Sequence, residues 1–204
     1  VDSEPIANPI LGQHLSALGL EMSFDEIMAE FVGLSMKTVV EKIERQWGRP
    51  LPGGWLENLQ RDTFAAFERE LEPVAGVRDI LAGLKAEGQH FCVASSGSPE
   101  KIRFTLTLTE LYPYFEGRIF SASEVARGKP APDLFQRAAD VNGARYNKTV
   151  VIEDSLPGVQ AAISAGMTAL GFAARGQGAE LQKAGAHIFT RMSNLPALLK
   201  KTQN

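Results

Sequence analysis

Three short stretches of this chain hold the side chains best suited to chemistry: Ser95, Ser96, Gly97 and Ser98; Arg127, Gly128, Lys129 and Pro130; and Glu153, Asp154 and Ser155. Carboxylate oxygens in pairs are hard ligands that suit Mg2+, which takes one or two carboxylates and keeps positions for water and phosphate. The Ser95 hydroxyl, followed by peptide N–H groups opening a helix, favours an anion. Lys129 adds a compact positive charge in a KPAP segment that Pro130 and Pro132 stiffen by fixing φ. A metal ion, an ammonium group, a hydroxyl and helix-start amides are the parts that neutralise a transferring phosphoryl group. Each part also has an ordinary use. A serine at a strand end turns or caps the chain, a lysine in a GKP loop is commonly solvated, and two acids after a strand can open the next helix. Their placement decides between the readings.

That placement follows from the elements. From about Gly76 the chain alternates. The segments QHFCVASSG, RIFSASEV, TVVIEDS, MTALGFAA and AHIFTRM read as strands, while VRDILAGLKAEG, PEKIRFTLTLTEL, APDLFQRAADVNG, PGVQAAISAG, GAELQKAG and SNLPALLKK read as helices. Such alternation implies parallel βαβ units and an open sheet covered on both faces. The run Thr149, Val150, Val151, Ile152 suits a strand buried on both sides. Ligand sites in such sheets lie beyond the carboxyl ends of the strands, so the three stretches converge on one rim. Up to about residue 72 the texture differs: NPILGQHLSALGL, SFDEIMAEFVGL, MKTVVEKIERQWG and WLENLQRDTFAAFERELE carry apolar residues at spacings of three and four, the mark of amphipathic helices. Ser23, with Glu26 three residues on, reads as a helix N-cap. These helices predict a small bundle, joined to the α/β half through ELEPVAG.

The bulk composition narrows the function classes. The chain has 204 residues, 44% hydrophobic and 22% charged, with a formal net charge of −3. That charge is too small to imply nucleic acid as a partner, and no apolar stretch approaches the ~20 residues of a membrane span. The one cysteine, Cys92, has no partner for a disulfide and fits a reducing compartment. The opening VDSEPIANPI lacks the basic and apolar regions of a signal peptide. A cytoplasmic location is expected.

The segments VASSG, GKPAPD and VIEDSLPGVQAAISAGM resemble, in order and spacing, the second, third and fourth motifs of the haloacid dehalogenase superfamily. The similarity is to its phosphatases and phosphomutases with a helical cap, and it covers essentially the whole chain. It implies a Rossmann-like core at 73–204, a cap at 7–72 and the tail of a first motif at 1–6, where VDSEP stands. It implies Ser95 as the phosphate-binding hydroxyl, with Ser96 and Gly97 beside it, Lys129 as the charge that orients nucleophile and phosphate, Asp154 as a Mg2+ ligand and Glu153 as an additional or water-mediated one. Gly33, Ser35 and Lys37, in FVGLSMK, fall where family caps place a specificity segment, although Lys37 also reads as the solvated face of a helix. Family chemistry runs through two aspartates of the first motif, one attacking phosphorus to give an aspartyl-phosphate and one serving as acid and base. Neither can be assigned here, and a segment bearing them, with a central strand, is expected before Val1. A chain lacking that strand would have a gap between the strands ending at Ser95 and Glu153. Ala7 falls near the place where mutases carry a histidine, which favours hydrolysis of a small phosphorylated metabolite, such as a sugar or polyol phosphate, over mutase chemistry. A non-catalytic phosphate- or partner-binding relic is the reading from another class. His14, His90 and His187 receive no role, and Trp47 and Trp55 read as packing.

Overall fold

Apolar side chains recurring every three or four residues fold the N-terminal part of this computed structural model into four helices: α1 (Glu4–Ser16), α2 (Phe24–Phe31), α3 (Met36–Trp47) and α4 (Trp55–Glu70). The structure describes residues 1–202. Leu11, Leu15, Ile27, Phe31, Val39, Ile43, Trp55 and Leu59 form the core between these helices. A fully buried aliphatic side chain contributes about 1.5–3 kcal/mol, and Leu15 and Ile43 are wholly enclosed. Ser23 starts α2 through a reciprocal capping box with Glu26, and Ser35 starts α3 by accepting the Thr38 N–H at 3.3 Å. His14 does find a partner, Asp62 at 3.0 Å on α4, and stands edge-on to Trp55. The Trp47 indole N–H donates to the Leu18 carbonyl. These contacts fasten the bundle internally.

The second part alternates as the sequence predicts, in the order α5 (Val77–Ala86), β1 (Val93–Ser95), α6 (Pro99–Leu108), α7 (Tyr112–Phe115), β2 (Ile119–Ser121), α8 (Asp133–Val141), β3 (Val150–Glu153), α9 (Leu156–Ser164), β4 (Thr168–Phe172), α10 (Gly178–Lys183), β5 (His187–Phe189) and α11 (Leu195–Thr202). All strand pairs are parallel. They form two pieces, β1–β2 and β3–β4–β5, so the sheet is divided between β1 and β3. Side-chain alternation sends successive residues to opposite faces. Val151 and Ala169 pack on Phe135 of α8, Val159 of α9 and Leu181 of α10. On the other face Val150 and Leu170 pack on Ile80 of α5 and Leu195 of α11. The result is an α/β core with helices on both faces and a helical unit beside it. Among the described residues no helix is long and apolar enough to cross a membrane.

Two sets of contacts tie the helical unit to the α/β part. Phe64 of α4 stacks on Phe104 of α6 with ring centroids 4.5 Å apart and planes within 4°. Beside them Gln60 donates to Glu100 and the Lys101 ammonium lies 5.6 Å from the Phe67 ring centroid. On the side of the strand ends, the loop between α2 and α3 touches Ser96 and Ser155.

Candidate active site

The carboxyl ends of β1 and β3, with the loop before α8, bring the predicted residues to one rim. After β1 the chain turns on its serines. The Ser95 hydroxyl accepts the Gly97 N–H at 3.1 Å, and Ser121 at the end of β2 donates its hydroxyl to the Gly97 carbonyl at 2.6 Å. The carbonyl is thereby held back towards β2. Ser98 caps α6 by accepting the Lys101 N–H. Ser95, Ser96 and Gly97 are half-buried at the head of this helix.

Lys129 is buried at 7% exposure. Its ammonium pairs with Glu153 Oε1, donates to the Ala94 carbonyl at 3.3 Å and lies 4.8 Å from the Phe135 ring centroid. The lysine therefore points inward, between β1 and β3. Arg127 turns the other way and makes a forked pair with Asp133, fixing the loop to the start of α8. The Lys129–Pro130 peptide bond is cis. Glu153 is held from its second oxygen too, accepting the Ser155 hydroxyl at 2.9 Å and the Ser155 N–H at 3.3 Å. Ser155 in turn caps α9 by accepting the Gly158 N–H at 3.2 Å. A Cβ on Gly158 would run into the Glu153 carboxylate. Only glycine lets α9 start this close to the acid.

Asp154 pairs with Arg175, whereas Lys129 pairs with Glu153. Asp154 Oδ2 lies 3.3 Å from Arg175 Nη2, which also reaches Asp2 Oδ1 at 3.0 Å. Gln177 donates its side-chain amide to the Asp154 carbonyl. The Asp154 side chain keeps 45% of its surface open, yet the surrounding protein withdraws enough water to push its pKa up. Burial is the leading cause, and the charge of Glu153 adds to it. Arg175 opposes the rise, Glu4 reinforces it, and Lys129 opposes it. An acid in that state is stabilised by an added cation. Among the described residues no group of three or more His, Cys, Asp or Glu side chains could hold a metal ion. Asp154 nevertheless fits the Mg2+ pattern, in which one or two carboxylates suffice and water and phosphate complete the shell. Glu153, taken up by Lys129 and Ser155, faces that position only as a neighbour in sequence.

The helical unit reaches the rim through its α2–α3 loop. The Ser96 hydroxyl donates to the Gly33 carbonyl at 2.7 Å. Gly33 has φ +79°, and a Cβ there would stand 2.8 Å from Ser155 Oγ, so the close approach and the left-handed backbone both require glycine. Ser35 caps α3 and lies against Gly128 of the lysine loop. Lys37 is exposed. Arg175, Gln177, Ser121 and Gly158 complete the site and were not singled out from the sequence. A glycine inside the amphipathic PGVQAAISAG helix was the one local signal among them.

Residues 1–172 match the family model described as haloacid dehalogenase-like hydrolase. The 6-phosphogluconate phosphatase of Escherichia coli (strain K12) is 27% identical over 201 residues, covering 98% of this chain and 90% of that protein. The crystal structure of a conserved haloacid dehalogenase-like protein of unknown function from Agrobacterium tumefaciens superposes with a TM-score of 0.80 at 30% identity, covering 100% of this chain and 94% of that one. A family hydrolase from Deinococcus radiodurans, with bound phosphate and sodium, superposes with a TM-score of 0.74 at 28% identity, covering 98% and 90%.

Proposed function

This chain belongs to the haloacid dehalogenase-like hydrolase family, and from that premise we propose that it serves as a Mg2+-dependent phosphatase of small phosphorylated metabolites, sugar or polyol phosphates in particular. One observation carries the reading: a buried lysine stands between a serine-lined helix start and an acidic pair, at the carboxyl ends of parallel strands. Three segments distant in the chain converge there.

The residues divide the work. The Ser95 hydroxyl and the Ser96 N–H bind phosphate oxygens, with the loop held in shape by Ser121 and by the Gly97 N–H on Ser95 Oγ. Lys129 offsets the charge that grows on those oxygens, and Glu153 and the Ala94 carbonyl keep its ammonium in place. Asp154 would hold Mg2+, with Glu153 kept beside it by Lys129 and Ser155, and the ion would supply further positive charge to the phosphoryl group. The α2–α3 loop, through Gly33 and Ser35, with Lys37 in the first turn of α3, closes over the rim, excludes water and contacts the rest of the substrate. On this reading the phosphoryl group passes through an aspartyl-phosphate formed on an aspartate of the family's first motif. The relative that acts on 6-phosphogluconate supports the sugar-phosphate class, and the lone Cys92 suits the cytoplasm.

Phosphate release from a panel of sugar and polyol phosphates, with Mg2+ and with a chelator, tests the proposal on protein that includes the first-motif segment. Turnover should require Mg2+, and Lys129→Ala or Asp154→Asn should lower kcat about 100-fold or more. Turnover unchanged in both variants removes the assigned roles.

A further inference from the structure

We infer that Arg175 is a displaceable counter-cation for Asp154: it neutralises the acid until a divalent ion takes that place, and Asp2 then receives it, so that Arg175 and Asp2 together set the affinity of the site for Mg2+. On the reading of Asp154 as the Mg2+ ligand, on which this rests, the ion does not meet a free carboxylate but one that already has a partner. A single guanidinium nitrogen makes the exchange feasible. Arg175 Nη2 lies 3.3 Å from Asp154 Oδ2 and 3.0 Å from Asp2 Oδ1, so two carboxylates far apart in the chain share one nitrogen. Arg127, by contrast, grips Asp133 through a two-bonded fork, the stronger and more rigid arrangement. A guanidinium held at one point gives up a partner more easily. The side chains of Arg175, Asp2 and Asp154 are 33%, 46% and 45% exposed, so water and ions reach all three. Lys129 and Glu153, at 6% and 9%, form a closed pair that takes no part in such an exchange.

The loop after β4 keeps its shape while the side chains change partners. The Gln177 side-chain oxygen accepts the Arg175 N–H at 3.1 Å, and its amide nitrogen donates to the Asp154 carbonyl at 3.3 Å and the Phe172 carbonyl at 3.4 Å. Gly176 between them turns the chain with φ +90°, a conformation that favours glycine. Gln177 thus grips the main chain of both members of the pair and leaves the Asp154 carboxylate and the guanidinium free to part. The receiving acid is anchored too. The Asp2 N–H donates to the Glu72 carbonyl at 3.4 Å, just before α1 begins and just after α4 ends. Asp2 therefore sits where the two connections between the helical unit and the α/β part meet. A cation arriving at Asp154 Oδ2 repels the guanidinium, which keeps an acid partner by resting on Asp2 alone.

Calorimetric titration with MgCl2 of the parent protein, Arg175→Gln, Asp2→Asn and the double variant tests the exchange without any need for turnover. Arg175→Gln should bind Mg2+ about fivefold more tightly, the upper range for removing a partly exposed charge partner. Asp2→Asn should weaken Mg2+ binding about threefold in the parent, because Arg175 then has only Asp154 to hold, and by less than about 1.5-fold once Arg175 is gone. In thermal scans the rise in Tm on adding Mg2+ should be larger for Arg175→Gln than for the parent. Equal or weaker Mg2+ binding by Arg175→Gln overturns the counter-cation role and leaves Asp154 as a ligand. An equal effect of Asp2→Asn in both backgrounds makes Asp2 a remote charge and overturns the hand-over. If Arg175→Gln fails to fold, Asp2→Asn decides alone, and unchanged affinity there overturns the hand-over. Mg2+ binding by no folded form overturns the Mg2+ reading of Asp154, and this inference falls with it.

Discussion

Replacing Lys129 by methionine separates what the lysine does for the fold from what it does for the site. The side chains of Lys129 and Glu153 are 6% and 9% exposed. Methionine fills nearly the same volume but leaves the Glu153 carboxylate with only the Ser155 hydroxyl and N–H. Removing one partner of a buried ion pair costs about 3–5 kcal/mol. For a chain of this size that corresponds to a fall in Tm of roughly 6–20 °C. Glu153→Gln should cost less, because the ammonium keeps the Ala94 carbonyl and the face of Phe135, a contact of about 0.5–2 kcal/mol. The double variant K129M/E153Q has no stranded charge. It should therefore be less destabilised than the two single changes together, by about 1–3 kcal/mol. Urea unfolding followed by circular dichroism measures all three. Phosphate release, in protein bearing the first-motif segment, should stay lost in the double variant, since restored stability brings back no ammonium. Additivity within about 0.5 kcal/mol would refute the coupling. Turnover regained by the double variant would reduce Lys129 to a structural residue.

Other changes probe other contacts. Gly158→Ala should destabilise by about 1–3 kcal/mol, although alanine favours helix, because the Glu153 carboxylate cannot yield to the new methyl; a more stable variant in the same urea titration would contradict this. Ser96→Ala removes the hydroxyl that holds the Gly33 carbonyl, so KM should rise several-fold with kcat little changed and with under about 1.5 kcal/mol of stability lost. Asp154→Asn should raise the Tm of the metal-free protein at neutral pH. The folded-state pKa of Asp154 is raised, so the fold penalises its ionised form above that pKa and not below the unfolded value. Parent and variant should converge as pH falls into the ordinary aspartate range, and Mg2+ should stabilise the parent alone. Thermal scans across pH with and without the metal check both statements.

Much of this arrangement is legible in the chain because local rules and tertiary placement agree. The β-branched run ending at Glu153 could be little else than a buried strand, and Ser23 with Glu26 could be read as a cap from spacing alone. The strand in QHFCVASSG is shorter than its apolar pattern suggests. Only Val93–Ser95 pair with β2. Arg175 was not legible: its AARGQG context reads as a plain turn, and Asp2 and Asp154 come to it only through the fold. His14 escaped for the same reason, its partner Asp62 lying a helix away in space and far along the chain. The direction of the Lys129 side chain was open as well. A GKP loop is equally compatible with a solvated ammonium, and what turns it inward is the space beside Glu153 and the Phe135 ring.

The fastening of the helical unit is lopsided, and traffic through the site follows from that. At one margin Phe64 and Phe104 lie ring on ring, with Gln60 and Lys101 beside them. At the opposite margin one hydroxyl grips one carbonyl, beside the close packing of Gly33 on Ser155 and of Ser35 on Gly128. Breaking the second contact costs about 0.5–1.5 kcal/mol, whereas parting the rings also wets their shared apolar area. On the proposed phosphatase reading, the helical unit should therefore part first beside Gly33, with the aromatic edge as its hinge.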